Sequence, residues 1–237
     1  MGKLMHVAAY NIFMRNQAGF HPVVAFDPEK DKLFPIDLTG SSGDLTPSLL
    51  EDTSAFSSFI QKKISHAHAR YAIGGYGEYR EVYSRSKVFD ANMPGNEPRR
   101  LHLGTDIWGP VGTAVFAPMG GLVYGFAFND NFGDYGATLI LQHQLDGTEF
   151  FTLYGHISLA DISYLQEGDY VIRGQKIAHF GLPDENGHWP PHLHFQIIFD
   201  MGMNRSDYPG VCRYSEREKY LDNCPDPDLI LQMNRFI

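Results

Sequence analysis

From about residue 101 onward the chain breaks into short β-type runs, each closed by Gly, Pro or an Asp-Gly pair. No other feature limits the fold as much. The runs cover 113–118, 121–128, 137–143, 149–154, 169–172, 176–180 and 192–199. Strands this short, at this regular spacing, predict a mainly β fold, a barrel or a sandwich. Composition agrees: 14% aromatic residues with 24 Gly and 14 Pro suit strands and turns better than a helical bundle.

The first hundred residues have a different texture. Residues 7–40 read as irregular or β-rich, with a short strand at 23–26 and a turn at Asp27-Pro28. Thr46-Pro47 reads as a helix start, a Thr cap ahead of a Pro at the first helical position. Phe56, Phe59, Ile60 and Ile64 follow helical spacing, so one helix is expected over about 46–70, ended by Gly74-Gly-Tyr-Gly77. The expected organisation is an N-terminal extension over 1–97 packed on a domain over 98–200, followed by a tail over 201–237. The tail carries turns and a short helix near 215–221.

Charge and apolar content exclude several roles. The net charge is -9 with no basic block, which speaks against nucleic acid and against an anionic membrane surface as partners. No stretch approaches the roughly 20 apolar residues of a membrane span. His6, Asn11 and Arg15 interrupt the apolar residues near the N-terminus, so no signal peptide is read there and a cytoplasmic protein is expected. The two cysteines, Cys212 and Cys224, are read as free thiols.

The residues able to do chemistry are histidines in strand context. In His192-Leu193-His194 the strand period of two sends both imidazoles to one face, where they either share a metal or divide binding from catalysis. His102 and Asp106 stand four apart, again on one face of a strand, with Gly104 between them leaving room for close approach. A His and a carboxylate so placed suit Zn²⁺. His156 ends an apolar strand beside Gly155 and is placed to reach a cleft. Three protein ligands plus a water make a catalytic zinc site, whereas a structural site is closed by four.

The remaining candidates have plainer readings. His66 and His68, two apart on a helix, point in different directions. His143, at a strand end, reads as structural or surface, and His179 as a satisfied strand histidine. His188 lies in the loop 184–191 and is a candidate for substrate contact. Tyr154, Asp134 and Tyr135 are candidates for lining a groove, although strand aromatics are more often packing residues.

Five motifs in order, His102-Leu-Gly-Thr-Asp106, Pro118-Met-Gly-Gly-Leu-Val123, Leu153-Tyr-Gly-His-Ile157, Glu167-Gly-Asp-Tyr-Val-Ile-Arg-Gly-Gln175 and Pro191-His-Leu-His-Phe195, resemble the lysostaphin-type, or LytM-like, zinc metallopeptidases. The stretch 71–80 and Asp207-Tyr-Pro-Gly-Val211 are similar to a subgroup also found fused to other enzyme domains. The resemblance implies a small antiparallel β barrel or sandwich with a groove. It also implies that His102, Asp106 and His194 are zinc ligands and that His156 and His192 are catalytic. It implies hydrolysis of a peptide or amide bond by a metal-activated water, with peptidoglycan-type peptides as substrates. The loop 184–191 is bulkier than the family's usual Ser/Thr/Gly-rich one. With the net negative charge and the absence of a readable export signal, that difference keeps in view a cytoplasmic zinc amidohydrolase or peptidase acting on a small non-wall substrate; a non-catalytic zinc-binding scaffold on the same fold is ranked last, because all five positions are filled.

Overall fold

A computed structural model describes residues 2–41, 43–90 and 96–237, with side chains from residue 8 onward. Residues 1, 42 and 91–95 of the expected extension therefore lie outside the described residues. The strands are β1 (Leu33–Pro35), β2 (Tyr71–Gly74), β3 (Leu101–His102), β4 (Thr105–Trp108), β5 (Ala114–Phe116) and β6 (Gly121–Asn129). They continue with β7 (Gly136–Leu145), β8 (Thr148–Ile157), β9 (Tyr170–Val171), β10 (Lys176–His179), β11 (His192–Ile198) and β12 (Val211–Cys212). Among the described residues six α-helices accompany them: α1 (Gly2–Asn16), α2 (Pro47–Glu51), α3 (Thr53–His66), α4 (Leu159–Ile162), α5 (Arg217–Asn223) and α6 (Asp228–Leu231).

The mainly β fold is built on an eight-stranded sheet of order β1-β2-β4-β11-β8-β7-β6-β9, which does not close into a barrel. Only β1 and β2 pair in parallel; the other ladders of this sheet are antiparallel. Two small ribbons, β10-β5 and β12-β3, complete it. Strands β1 and β2 come from the first hundred residues, and β2 hydrogen-bonds to β4 with Gly74 opposite Asp106. The N-terminal segment is thus part of the same sheet that carries the candidate ligands.

Three local expectations are corrected. Residues 2–16 form a helix, not irregular or β-rich chain. Its buried Ala9 and Phe13 stand four apart, and Phe13 packs edge-on against Phe150 with centroids 4.8 Å apart. The single helix over 46–70 is two helices. The Asp52 side chain accepts from the amides of Ser54 and Ala55, which caps a new helix and ends the first one. The run 23–26 contributes only one isolated bridge, Val24 to Val115. No described helix is long and apolar enough to cross a membrane.

Alternation along β11 places the chemistry. Leu193, Phe195 and Ile197 turn to one face and pack with Leu139, Leu141, Phe150 and Tyr154. His192, His194 and Gln196 turn to the other face. There two further clusters flank them, one holding Trp108, Trp189, Tyr83 and Phe89 and the other Leu103, Tyr135 and Ile198.

His143 on β7 is structural, as expected, but fully buried. Its Nδ1 donates to the Gly120 carbonyl at 2.9 Å and its Nε2 meets the Thr152 hydroxyl at 2.8 Å. Burial lowers its pKa to about 4. The unfolded histidine takes its proton near pH 6.5, so the stabilising contribution is complete above that pH. It is lost as pH falls from 6.5 toward 4. Urea unfolding at pH 7 and pH 4.5 should show wild-type losing up to roughly 3 kcal/mol more than His143→Asn. Parallel pH responses in the two proteins would refute the assignment.

Candidate active site

Four histidines and one aspartate meet on the inner face of β3, β4, β8 and β11, and each is at most 6% exposed. Asp106 on β4 lies directly opposite His194 on β11 in the antiparallel register. Its Oδ1 is 3.1 Å from His194 Nδ1 and 3.3 Å from His102 Nε2. His102 and Asp106 do not sit on one continuous strand, as the spacing suggested; the backbone leaves the ladder at Leu103-Gly104 and their side chains still converge. Gly104 allows this. A Cβ there would lie 2.5 Å from the His194 ring and 2.8 Å from the Phe195 carbonyl. Gly104→Ala should therefore displace His194 and weaken metal retention at least ~10-fold. Unchanged metal content on dialysis against a chelator would count against this packing.

Every one of the four imidazoles has its outer nitrogen tied to an oxygen acceptor. His102 Nδ1 donates to Gly75 O at 2.9 Å, His192 Nδ1 to Pro190 O at 2.7 Å, and His156 Nδ1 to Asn186 O at 2.8 Å. His194 Nε2 donates to Gln196 Oε1 at 2.9 Å, and the Gln196 amide is itself held by Pro209 O. Carbonyl oxygens only accept, so each ring is fixed in one tautomer with its other nitrogen bare. The bare nitrogens of His102 and His194 face each other at 2.9 Å, beside the Asp106 carboxylate. Two lone pairs and an anion converging in this way form the donor set of a bound cation. The donor atoms of this trio all lie within 4.8 Å of one another. Two imidazoles and a carboxylate, each with an outer partner, fit Zn²⁺.

Electrostatics point the same way. Burial, with Arg80 nearby, lowers the His102 pKa to about 3, and burial lowers that of His192 to about 4. Burial, together with the two neighbouring histidines, also holds His156 well below its ordinary range. Burial alone would raise Asp106, yet its pairing with His102 and with the Arg80 guanidinium keeps its carboxyl well below the usual value. Among the candidate ligands His102 is therefore held as a neutral imidazole and Asp106 as an ionised carboxylate, the forms that ligate a metal.

His156 and His192 stand together beside the trio, with ring centroids 4.1 Å apart. His192 stacks on Trp108 at 3.8 Å and 17°. His156 has φ +64°, a left-handed conformation costing a histidine of order 1–3 kcal/mol. Its amide donates to Tyr135 O and its carbonyl accepts from Gly181 N, both at 2.9 Å, so backbone and ring are pinned on three sides.

The site opens on a cavity of about 130 Å³ walled by aromatic side chains, including Tyr83, Phe89, Trp108, Tyr135, Trp189 and Tyr208. Asp134 and Tyr135, named from the sequence as groove residues, line it, whereas Tyr154 is buried packing against Phe195. His188 stacks on Phe132 and is not among the lining residues, and His179 pairs with Asp161 at 3.1 Å. Cys212 and Cys224 are buried free thiols, both pushed up to about 12 by burial, which makes neither a nucleophile. The residue missed from the sequence is Arg80, 1% exposed and 2.5 Å from Asp106. Its only sequence signal was a lone basic residue behind a glycine-rich run.

Comparison with known proteins adds a family. Residues 100–205 match peptidase family M23. Among solved structures, the chain is similar to a zinc-containing peptidase from Vibrio cholerae (29% identity, TM-score 0.34). That match covers 46% of this chain and 30% of the other. It is also similar to the catalytic domain of the antimicrobial peptidase lysostaphin from Staphylococcus simulans. There the identity is 21%, the coverage 69% and 97%, and the TM-score 0.38. A third is a mutant of the catalytic domain of the prophage-encoded M23 protein EnpA from Enterococcus faecalis. It shows 20% identity, coverage of 58% and 85%, and a TM-score of 0.37. None of the curated proteins matches the chain.

Proposed function

We propose, given that residues 100–205 of this chain belong to peptidase family M23, that the protein is a zinc-dependent peptidase hydrolysing a peptide bond at the His102–Asp106–His194 site. The observation that carries the reading is the pair of bare imidazole nitrogens, 2.9 Å apart, beside one carboxylate oxygen. When bound, Zn²⁺ supplies a Lewis acid that polarises the scissile carbonyl and lowers the pKa of water toward about 7.

The chain's own residues then do the rest. His156 and His192 each present a bare Nε2, with Nδ1 locked by a backbone carbonyl. Each Nε2 can take a proton from the attacking water or return one to the departing amine. An imidazolium in this place also stabilises a developing oxyanion. Trp108, Trp189 and Tyr135 wall the cavity and exclude bulk water, which strengthens these interactions.

Peptidoglycan-type peptides are the substrates this reading favours first, in line with the family. A second reading is favoured by the cavity itself. About 130 Å³ holds one ring-sized group, which suits the end of a short peptide better than a cross-linked strand. Incubation with cross-linked muropeptides and with a dipeptide and tripeptide library, read by mass spectrometry, separates the two. Cleavage of muropeptides alone supports the first and of short peptides alone the second. Zinc-loaded protein that cleaves neither refutes the peptidase assignment.

A further inference from the structure

The glycine-rich loop between β2 and β3 contacts two of the three candidate ligands from outside. Gly75 O accepts from His102 Nδ1 at 2.9 Å, and the guanidinium of Arg80 donates through Nη1 to Asp106 Oδ2 at 2.5 Å. We propose that this loop, through Arg80, is a positioning element of the metal centre: it holds Asp106 as a one-oxygen ligand and so sets how tightly, and with how many bonds, zinc is bound. The inference rests on the reading of His102, Asp106 and His194 as a metal site.

The two oxygens of Asp106 have different surroundings. Oδ1 faces His102 and His194, at 3.3 and 3.1 Å, while Oδ2 is taken by Arg80. A free carboxylate beside a divalent ion can bind through both oxygens; a guanidinium hydrogen-bonded to the second oxygen turns it away from the ion and disfavours that mode. Zinc held through Oδ1 alone would have three protein ligand atoms, which would leave a position open for water or substrate.

Arg80 is itself held in place. Its Nε donates to Glu78 Oε2 at 2.5 Å, its Nη2 to Gly74 O at 3.2 Å and its Nη1 also to the Tyr83 hydroxyl at 3.4 Å. Gly75, at φ +103°, makes room, since a Cβ there would fall 1.8 Å from Arg80 Nη2. The loop backbone is fastened to the ligand strand by His102 N to Glu78 O at 2.9 Å and Gly77 N to His102 O at 3.0 Å.

Charge alone does not explain the arrangement. An isolated cation beside a metal site would repel the ion, but Glu78 offsets the charge of Arg80, so what remains is orientation. Lysine keeps the charge and loses the planar fork. Arg80→Lys therefore separates the two contributions.

The test measures zinc affinity by chelator competition in the whole chain, with near-UV circular dichroism as the check on folding. The visible spectrum of the Co²⁺-substituted protein reports the coordination number. Wild-type should bind one zinc with a four-coordinate Co²⁺ spectrum. Arg80→Lys should keep the fold and bind zinc about 10–100-fold more weakly. Its Co²⁺ bands should weaken toward a five-coordinate spectrum as Oδ2 becomes free. Should Arg80→Lys fail to fold, Glu78→Ala removes one of the clamps on Arg80 and should give the same changes to a smaller degree. Wild-type affinity and an unchanged Co²⁺ spectrum in the folded variant overturn the role of Arg80 while leaving the metal site standing. A wild-type protein that binds no zinc overturns both.

Discussion

Alanine at Asp106 is expected to empty the metal site and to destabilise the protein by about 3–5 kcal/mol at once. The two losses have separate causes. Asp106 supplies the only carboxylate of the candidate trio, so zinc retention should fall with it. It is also the buried partner of Arg80, a guanidinium 1% exposed that would keep Glu78 as its one charged partner. Removing one partner of a buried ion pair is among the few single changes that cost this much. Asp106→Asn keeps the shape and an acceptor for Arg80, so it should be the less destabilised of the two while still losing zinc. Metal analysis and urea unfolding on both variants check this. Full zinc retention in either one would remove Asp106 from the metal site.

Replacing His192 or His156 by alanine is expected to have the opposite profile. Both rings point a bare Nε2 into the site, but neither belongs to the trio whose donor atoms converge. Activity should drop by about 10²–10⁴-fold, the range for losing a positioned acid or base, with zinc content close to wild-type. His156→Ala carries a second effect, since the left-handed backbone at φ +64° stays strained while its ring anchor to Asn186 O is lost. His192→Ala removes the ring stacked on Trp108 and is the cleaner test of chemistry. Zinc loss equal to that of Asp106→Ala in both histidine variants would mean that binding and catalysis are divided differently among the five residues.

The convergence of these five residues was legible before the structure because it depends on short-range regularities. A period of two puts His192 and His194 on one face of β11, and Gln196, the next residue on that face, turns out to orient His194. The glycine at 104 was legible as room for close approach, and the His194 ring fills that room. What was not legible depends on contacts far apart in the chain. The carbonyls of Gly75, Asn186 and Pro190 fix three tautomers, and a backbone oxygen carries no residue signature. Arg80 reaches Asp106 only because β2 joins the sheet beside β4, a pairing across some thirty residues that periodicity cannot reveal.

Helix α1 escaped for a related reason. Among its described side chains only Ala9 and Phe13 are buried, and most of the others stay in solvent. The break at Asp52 was a cap hidden inside a good helical pattern. The aromatic runs from residue 101 onward, by contrast, have one stable solution, a sheet with its alternate residues packed on both sides, and the strand reading there was secure.

The most direct measurement is the metal content of the whole chain purified without added zinc and passed over a chelating resin. About one Zn²⁺ per chain, lost in Asp106→Ala and restored to stripped wild-type by stoichiometric zinc, is the expected result. Protein that carries no zinc and cannot be reconstituted would contradict a metal centre at His102, Asp106 and His194.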